Sequence, residues 1–198
     1  MGIGANPWLI ADARAIVVYV SFARPKKKAY TEEELYEYAV GALARRMRSV
    51  AGLKRLLRNK VEADTEFGQT LVELIIRRLK DQGYLNDANY AAVYSGLRRD
   101  NEKFGRMRVV TELKVRGVHG EVIEKAVSDT YDAVSDEKQA RDYLRRKRLK
   151  KPQDQKQTAR IFRQLVRAGF MSKTIFKILK TWDVDEETLT ALESENLE

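Results

Sequence analysis

Apolar residues recur along this chain at spacings of three and four, the period of a helix with one buried face. The clearest stretch is Val109, Val110 and Leu113, which share a face and run into Gly117. Glycine adopts the left-handed backbone without steric penalty, so Gly117 is predicted to end that helix. Val118 then makes an apolar turn contact, and Val122, Ile123, Ala126 and Val127 restart the period. The arrangement returns about fifty residues later, a spacing typical of helical repeats. Leu165 precedes Gly169 as Leu113 precedes Gly117, and Phe170 follows as Val118 does. Ile175, Ile178 and Leu179 then match Ile123, Ala126 and Val127. A more degenerate copy lies upstream, where Leu53, Leu56 and Leu57 lead to Lys60 and Val61.

Caps and faces fill in the order of elements. Thr31 with Glu34 forms a capping box ahead of a helix whose apolar face is Leu35, Tyr38, Ala39, Ala42, Leu43 and Met47. Ser49 is a cap for the second helix. Asp64 or Thr65 starts a third, with Phe67, Leu71, Leu74, Ile75 and Leu79 inside and Gly83 at its end. Tyr84 and Leu85 are expected to pack back, and Asn86 or Asp87 to cap a helix carrying Tyr90, Val93, Tyr94 and Leu97. Phe104 and Gly105 lead into the central pair, which Tyr131 closes. Asp136 opens the next unit, with Ala140, Tyr143 and Leu144 inward. Pro152 suits the first turn of the helix carrying Thr158, Ile161, Phe162, Leu165 and Val166. Ser172 caps the helix of Ile175, Phe176, Ile178, Leu179 and Trp182, and one weak turn is expected around Leu189 and Leu192.

The expected architecture is all-α: three tandem three-helix repeats at residues 31–85, 86–135 and 136–182. An extension, 1–30, precedes them and an acidic tail, 183–198, follows. The extension holds the one strongly β-prone run, Ala15 to Phe22, read as an edge strand, a docked segment or a disordered arm, and a linker at Pro25 to Lys28. A three-helix unit buries little apolar surface alone. The units should therefore join end to end into an elongated, curved array with a concave face.

Composition narrows the function. The 198 residues include no cysteine, which excludes disulfides and thiolate metal sites and suits a reducing cytoplasm. The apolar run Ala15 to Ala23 is too short to span a bilayer and lacks the layout of a secretion signal, so no membrane role is expected. Net charge is +9, but the segment from Asp183 onward holds seven acids and no Lys or Arg. Removing those seven negative charges leaves +16 on residues 1–182, the signature of a polyanionic or acidic partner.

Catalytic constellations are missing. The single histidine, His119, sits in a turn without a cysteine or serine partner, and no phosphate-binding loop is present. The chain is read as a non-enzyme without cofactor or metal. Basic clusters are the stronger signal. Arg45 and Arg46 end the first helix; Arg98, Arg99, Lys103, Arg106 and Arg108 surround Phe104. Arg141, Arg145, Arg146 and Arg148 crowd one window with Lys147, Lys150, Lys151 and a single acid, Asp142; Arg163 and Arg167 follow on one face with Arg160. Such clusters line a groove for phosphate or carboxylate; the alternative for each is a solvated face or a cation complementing a helix C-terminus. Phe104, in a basic loop, is the aromatic candidate for contact. The helix–turn–helix spacing also admits a DNA-reading protein, transcriptional or architectural.

The ordered set of residues resembles one family. Glu34-Leu35 precedes Tyr38-Ala39 and Arg45-Arg46; Gly83-Tyr84-Leu85-Asn86-Asp87 precedes Tyr90-Ala91; Gly105 and Arg108 lead to Glu112-Leu113 and Arg116-Gly117-Val118; Asp136-Glu137 precedes Ala140; and Arg167-Ala168-Gly169-Phe170 precedes Ile175. This order is similar to that of the RecX regulatory proteins, which modulate the RecA recombinase, over about residues 31–182. The resemblance implies a cytoplasmic helical protein that binds in the groove of the RecA–single-stranded-DNA filament, and a monomer is expected. It also implies limited filament growth, inhibited strand exchange and ATP hydrolysis, and no cofactor. Lys60 departs from the glycine expected in the first unit, and residues 1–30 and the tail fall outside the match.

Overall fold

A computed structural model describes residues 30–61 and 65–197. All regular structure among them is helical: α1 (Glu32–Arg45), α2 (Val50–Arg58), α3 (Glu66–Asp81), α4 (Asp87–Asp100), α5 (Arg106–Val115), α6 (Gly120–Tyr131), α7 (Asp136–Arg146), α8 (Gln155–Arg167), α9 (Ser172–Lys180) and α10 (Glu186–Leu197). The β-prone run at 15–22, the linker at 25–28 and Asp64 lie outside the described residues.

Buried side chains gather in three clusters. The first joins α1, α2 and α3 through Leu35, Leu53, Leu57, Ile75 and Leu79. The second joins α4, α5 and α6 through Tyr90, Val109, Leu113, Ile123 and Val127. The third joins α7 to α10 through Leu144, Phe162, Leu165, Ile175 and Leu179. Phe104 packs against both the second and the third.

Helix ends obey local chemistry. The Thr31 hydroxyl accepts from the Glu34 N–H at 3.2 Å while Glu34 accepts from the Thr31 N–H at 3.2 Å, completing the capping box. Ser49, Thr65 and Asn86 cap α2, α3 and α4. Gly117 has φ +74°; its N–H donates to the Lys114 carbonyl at 2.8 Å, and Val118 N–H reaches Leu113 at 3.2 Å. These two bonds form a Schellman terminus. Gly169, at φ +90°, repeats it through Val166 (2.9 Å) and, from Phe170, Leu165 (3.2 Å). Lys60 stays out of the left-handed region, and α2 closes instead by Val61 N–H to the Leu57 carbonyl at 3.2 Å.

Several apolar positions expected inside lie outside. Phe67 is 74% exposed, and Met47, Leu74, Val93, Leu97 and Tyr84 are also exposed. The inner face of α3 is Leu71, Val72, Ile75, Ile76 and Leu79, and α4 turns Tyr90, Ala91 and Ser95 inward. Spacing identifies a stripe, but the neighbouring helix chooses which edge of it is covered. Pro152 precedes α8, whose cap is Asp154, so it is not in the first turn. Met171 occupies the cap of α9 and Ser172 is its first residue. The weak turn expected in the tail is a 12-residue helix, α10, because Leu189 (0% exposed) and Leu192 bury themselves against the third cluster.

The middle helices of the three clusters meet end to end. At the start of α5, Gly105 N–H donates to the Ala168 carbonyl at 2.8 Å and Met107 N–H to the Gly169 carbonyl at 3.3 Å. The first turn of α5 thus satisfies the last carbonyls of α8, groups that neither helix can pair internally. At the other end of α5, the Arg116 carbonyl accepts from the Ser49 hydroxyl at 2.7 Å, and Ser49 itself caps α2. Each contact sets a positive helix N-terminus against a negative C-terminus. The order in space is α8, α5, α2.

Candidate polyanion interface

The structure ties several of the candidate cations to partners, and many of them, paired ones included, remain exposed. Arg98 belongs to a network between α4 and α5. Its Nε donates to the Tyr94 hydroxyl at 2.8 Å and lies 3.0 Å from Glu112 Oε2, while Tyr94 donates to the same carboxylate. Arg108 Nε reaches Glu112 Oε1 at 2.9 Å. Arg98 and Arg116 stack over the Tyr94 ring at 4.9 and 4.6 Å. Burial pushes the Glu112 carboxyl up, but the Tyr94 hydroxyl and the Arg98 and Arg108 cations outweigh it and hold the group below the usual carboxylate range. Burial, then Glu112, raises the Tyr94 phenol; burial works against the Arg98 cation, but Tyr94 and Glu112 raise its pKa overall.

Arg99 clasps Asp100 at 2.8 Å and donates to the Thr130 carbonyl at 2.7 Å. Gln139 of α7 donates to the Arg99 carbonyl at 2.7 Å, tying the second cluster to the third. Arg106 lies 3.6 Å from Asp132. Arg141 pairs with Glu137 (2.8 Å), Arg145 with Asp142 (3.2 Å) and Arg146 with Glu102 (2.7 Å). Phe104 is half-buried: its ring packs 6.3 Å from Tyr143 under Arg98 and Arg108, and its carbonyl accepts from the buried Tyr131 hydroxyl at 2.9 Å. Burial raises that phenol strongly.

Arg45, Arg46, Arg148, Arg163 and Arg167 are exposed. Lys103 and Arg148 hold left-handed backbone, φ +57° and +54°. Arg148 is the residue after the α7 cap, with its N–H on Arg145 at 3.0 Å and Leu149 N–H on Leu144 at 2.9 Å. A side chain in that position costs about 1–2 kcal/mol relative to glycine. Sequence reasoning named Arg116 and Lys151 but missed their contacts: Arg116 touches Tyr94, and Lys151 meets Asp183 at 2.5 Å and lowers that carboxyl. The first could have been found from its place beside Gly117; the second depends on the path of the tail. Among the described residues no cluster of His, Cys, Asp or Glu is arranged to hold a metal, and no helix is long and apolar enough to cross a membrane.

No family model matches the chain. Relatives do. The regulatory protein RecX of Deinococcus radiodurans is 32% identical over 161 residues, covering 79% of this chain and 72% of that protein. The chain belongs to the RecX family of regulatory proteins. RecX of Myxococcus xanthus is 32% identical over 133 residues, covering 64% of this chain and 70% of the relative. RecX of Bacillus pumilus is 30% identical over 177 residues, and the match spans 62% of that longer protein. The fold agrees: the crystal structure of RecX from Lactobacillus salivarius superposes with a TM-score of 0.58 at 21% identity, covering 77% of this chain and 96% of that one. A second RecX crystal structure gives 0.57 at 23% identity, covering 76% and 71%.

Proposed function

We propose that the protein docks in the groove of the RecA–single-stranded-DNA filament and inhibits recombinase and ATPase activity by limiting filament growth or stability. Membership of the RecX family carries this reading. Three further features support it. The helices fall into three core clusters, the third extending to Leu192 of α10, an arrangement suited to lying along a long partner. The exposed cations are offered from several clusters. Lys103 and Arg148 keep strained backbone where glycine would be easier, a cost that a binding role offsets.

The protein acts by binding, as a cytoplasmic monomer, and needs no cofactor. The operator-reading alternative gains nothing from α6, which presents Glu121, Glu124 and Asp129 against one Lys125 and would repel phosphate.

The test mixes the protein with RecA, single-stranded DNA and ATP. ATP hydrolysis and strand exchange should fall as the protein is added, and changing Arg145, Arg146 and Arg148 to Glu should weaken the effect with helicity intact. Unchanged hydrolysis and exchange at saturating protein would refute the reading.

A further inference from the structure

We infer that α8, α5 and α2 act together as one binding track, and that the sugar–phosphate backbone of a nucleic-acid strand lies along it without its bases being read. The inference rests on the filament reading and deepens it by assigning the surface.

Continuity is the first ground. The thirteen, ten and nine residues of these helices amount to about 48 Å of helix at 1.5 Å per residue. The α8–α5 junction is closed by backbone hydrogen bonds and the α5–α2 junction by Ser49.

Charge is the second. α8 carries Lys156, Arg160, Arg163 and Arg167 and no acid; α2 carries Lys54, Arg55 and Arg58 and no acid. α5 carries Arg106, Arg108 and Lys114 with one acid, Glu112, which Tyr94, Arg98 and Arg108 already occupy. Two of the helices beside them are unlike this: α1 opens with Glu32, Glu33 and Glu34, and α6 is net acidic; α9, beside α8, carries Lys173, Lys177 and Lys180 and no acid, so it extends the cationic surface there.

Register is the third. Counted from each cap, the sixth residue is Arg55, Thr111 and Arg160, and the ninth is Arg58, Lys114 and Arg163. All of these are exposed, and all but Thr111 are cationic. Arginine forks at spacings of three and four suit a run of phosphates.

The absence of rings selects the occupant. The one aromatic residue on the three helices, Phe162, is fully buried, so the track offers no platform for bases. A protein partner would call for an apolar, aromatic-rich centre. Beyond Met107 and Val115, both on α5, these helices expose no large apolar side chain. The contact is therefore with phosphate, independent of sequence and steeply dependent on salt.

Gly105 and Gly169 are positioning residues for the track. A Cβ on Gly105 would lie 2.3 Å from the Gly169 carbonyl oxygen, and one on Gly169 would lie 2.2 Å from the Arg108 nitrogen. Gly105 has φ −74°, so alanine there brings no intrinsic backbone strain and disturbs the junction alone.

The experiment is anisotropy of a fluorescein-labelled oligo(dT) titrated with the full chain across a range of KCl. The double variant Arg160→Gln, Arg167→Gln should flatten the slope of log affinity against log salt by about 1.4, at about 0.7 for each phosphate no longer neutralised. Arg77→Gln with Lys80→Gln on α3 should leave the slope alone. Gly105→Ala, its helicity checked by circular dichroism, should bind about tenfold more weakly. Gly83→Ala should not, because Gly83 shares the left-handed strain of Gly169 (φ +77°) but has nothing within 4 Å of its Cβ. A folded Gly105→Ala that binds like the parent, an α3 double that flattens the slope equally, or polyglutamate competing as well as oligo(dT) would each overturn the track. If Gly105→Ala fails to fold, the two charge doubles decide. Inhibition of RecA with an unaltered α8 slope would condemn the track alone; oligo(dT) binding without inhibition would condemn the filament reading alone.

Discussion

The two ends of α5 solve one problem in different ways. Both abut another helix end, and both must satisfy groups left unpaired by helix geometry. At the C-terminal end a side chain does the work: the Ser49 hydroxyl caps α2 and donates to the Arg116 carbonyl. At the N-terminal end backbone meets backbone, and Gly105 supplies no cap of its own. Each junction has a glycine, but the demand differs. A Cβ on Gly117 would meet the Ala51 methyl at 2.5 Å, a side-chain atom, whereas one on Gly169 would meet main-chain and side-chain atoms of Arg108. Neither junction yields cheaply, since the Ala51 methyl is fixed to the α2 backbone; the junction with α8 is the more crowded, because its obstacles include the hydrogen-bonded chain itself.

That contrast can be broken by stability measurements. Gly169→Ala should cost the most, about 3 kcal/mol by urea denaturation, from left-handed strain and overpacking together. Glu112→Gln comes next, about 2 kcal/mol at neutral pH, because it removes a half-buried carboxylate from two arginines and a phenol that hold α5 between both junctions. Its pH dependence has a definite sign. The folded-state pKa of Glu112 is lowered below the ordinary 4.5, so its stabilisation is fully present above that pH and is lost as pH falls through the folded value. Parent and Gln variant should therefore converge in acid, and a gap that persists to low pH would assign the loss to packing. Ser49→Ala should cost least, about 1 kcal/mol, for a cap and one carbonyl partner. If Ser49→Ala proved costlier than Gly169→Ala, the ranking of the junctions would be reversed.

Most helix starts and stops, though not the starts of α8 and α9, were legible because they depend on neighbours in sequence: a hydroxyl three residues before an N–H, a glycine after the last turn. The left-handed glycines 83, 117 and 169 are of this kind. The candidate site was legible only as residue types. A run of arginines does not reveal that Arg146 reaches Glu102 from another cluster, that Arg99 clasps the end of α6, or that Phe104 is half-buried between two cores. Those partners are far along the chain.

Local order and the membership of each apolar stripe were thus written into the chain by short-range sterics and hydrogen bonding. Tertiary structure alone decided that Phe67, Leu74 and Leu97 stay wet, that Leu189 draws an acidic tail into a packed helix, and that α8, α5 and α2 meet end to end. The physical reason is common to all three. Covering a side chain or satisfying a helix end requires a surface brought from elsewhere, and only folding determines which surface arrives.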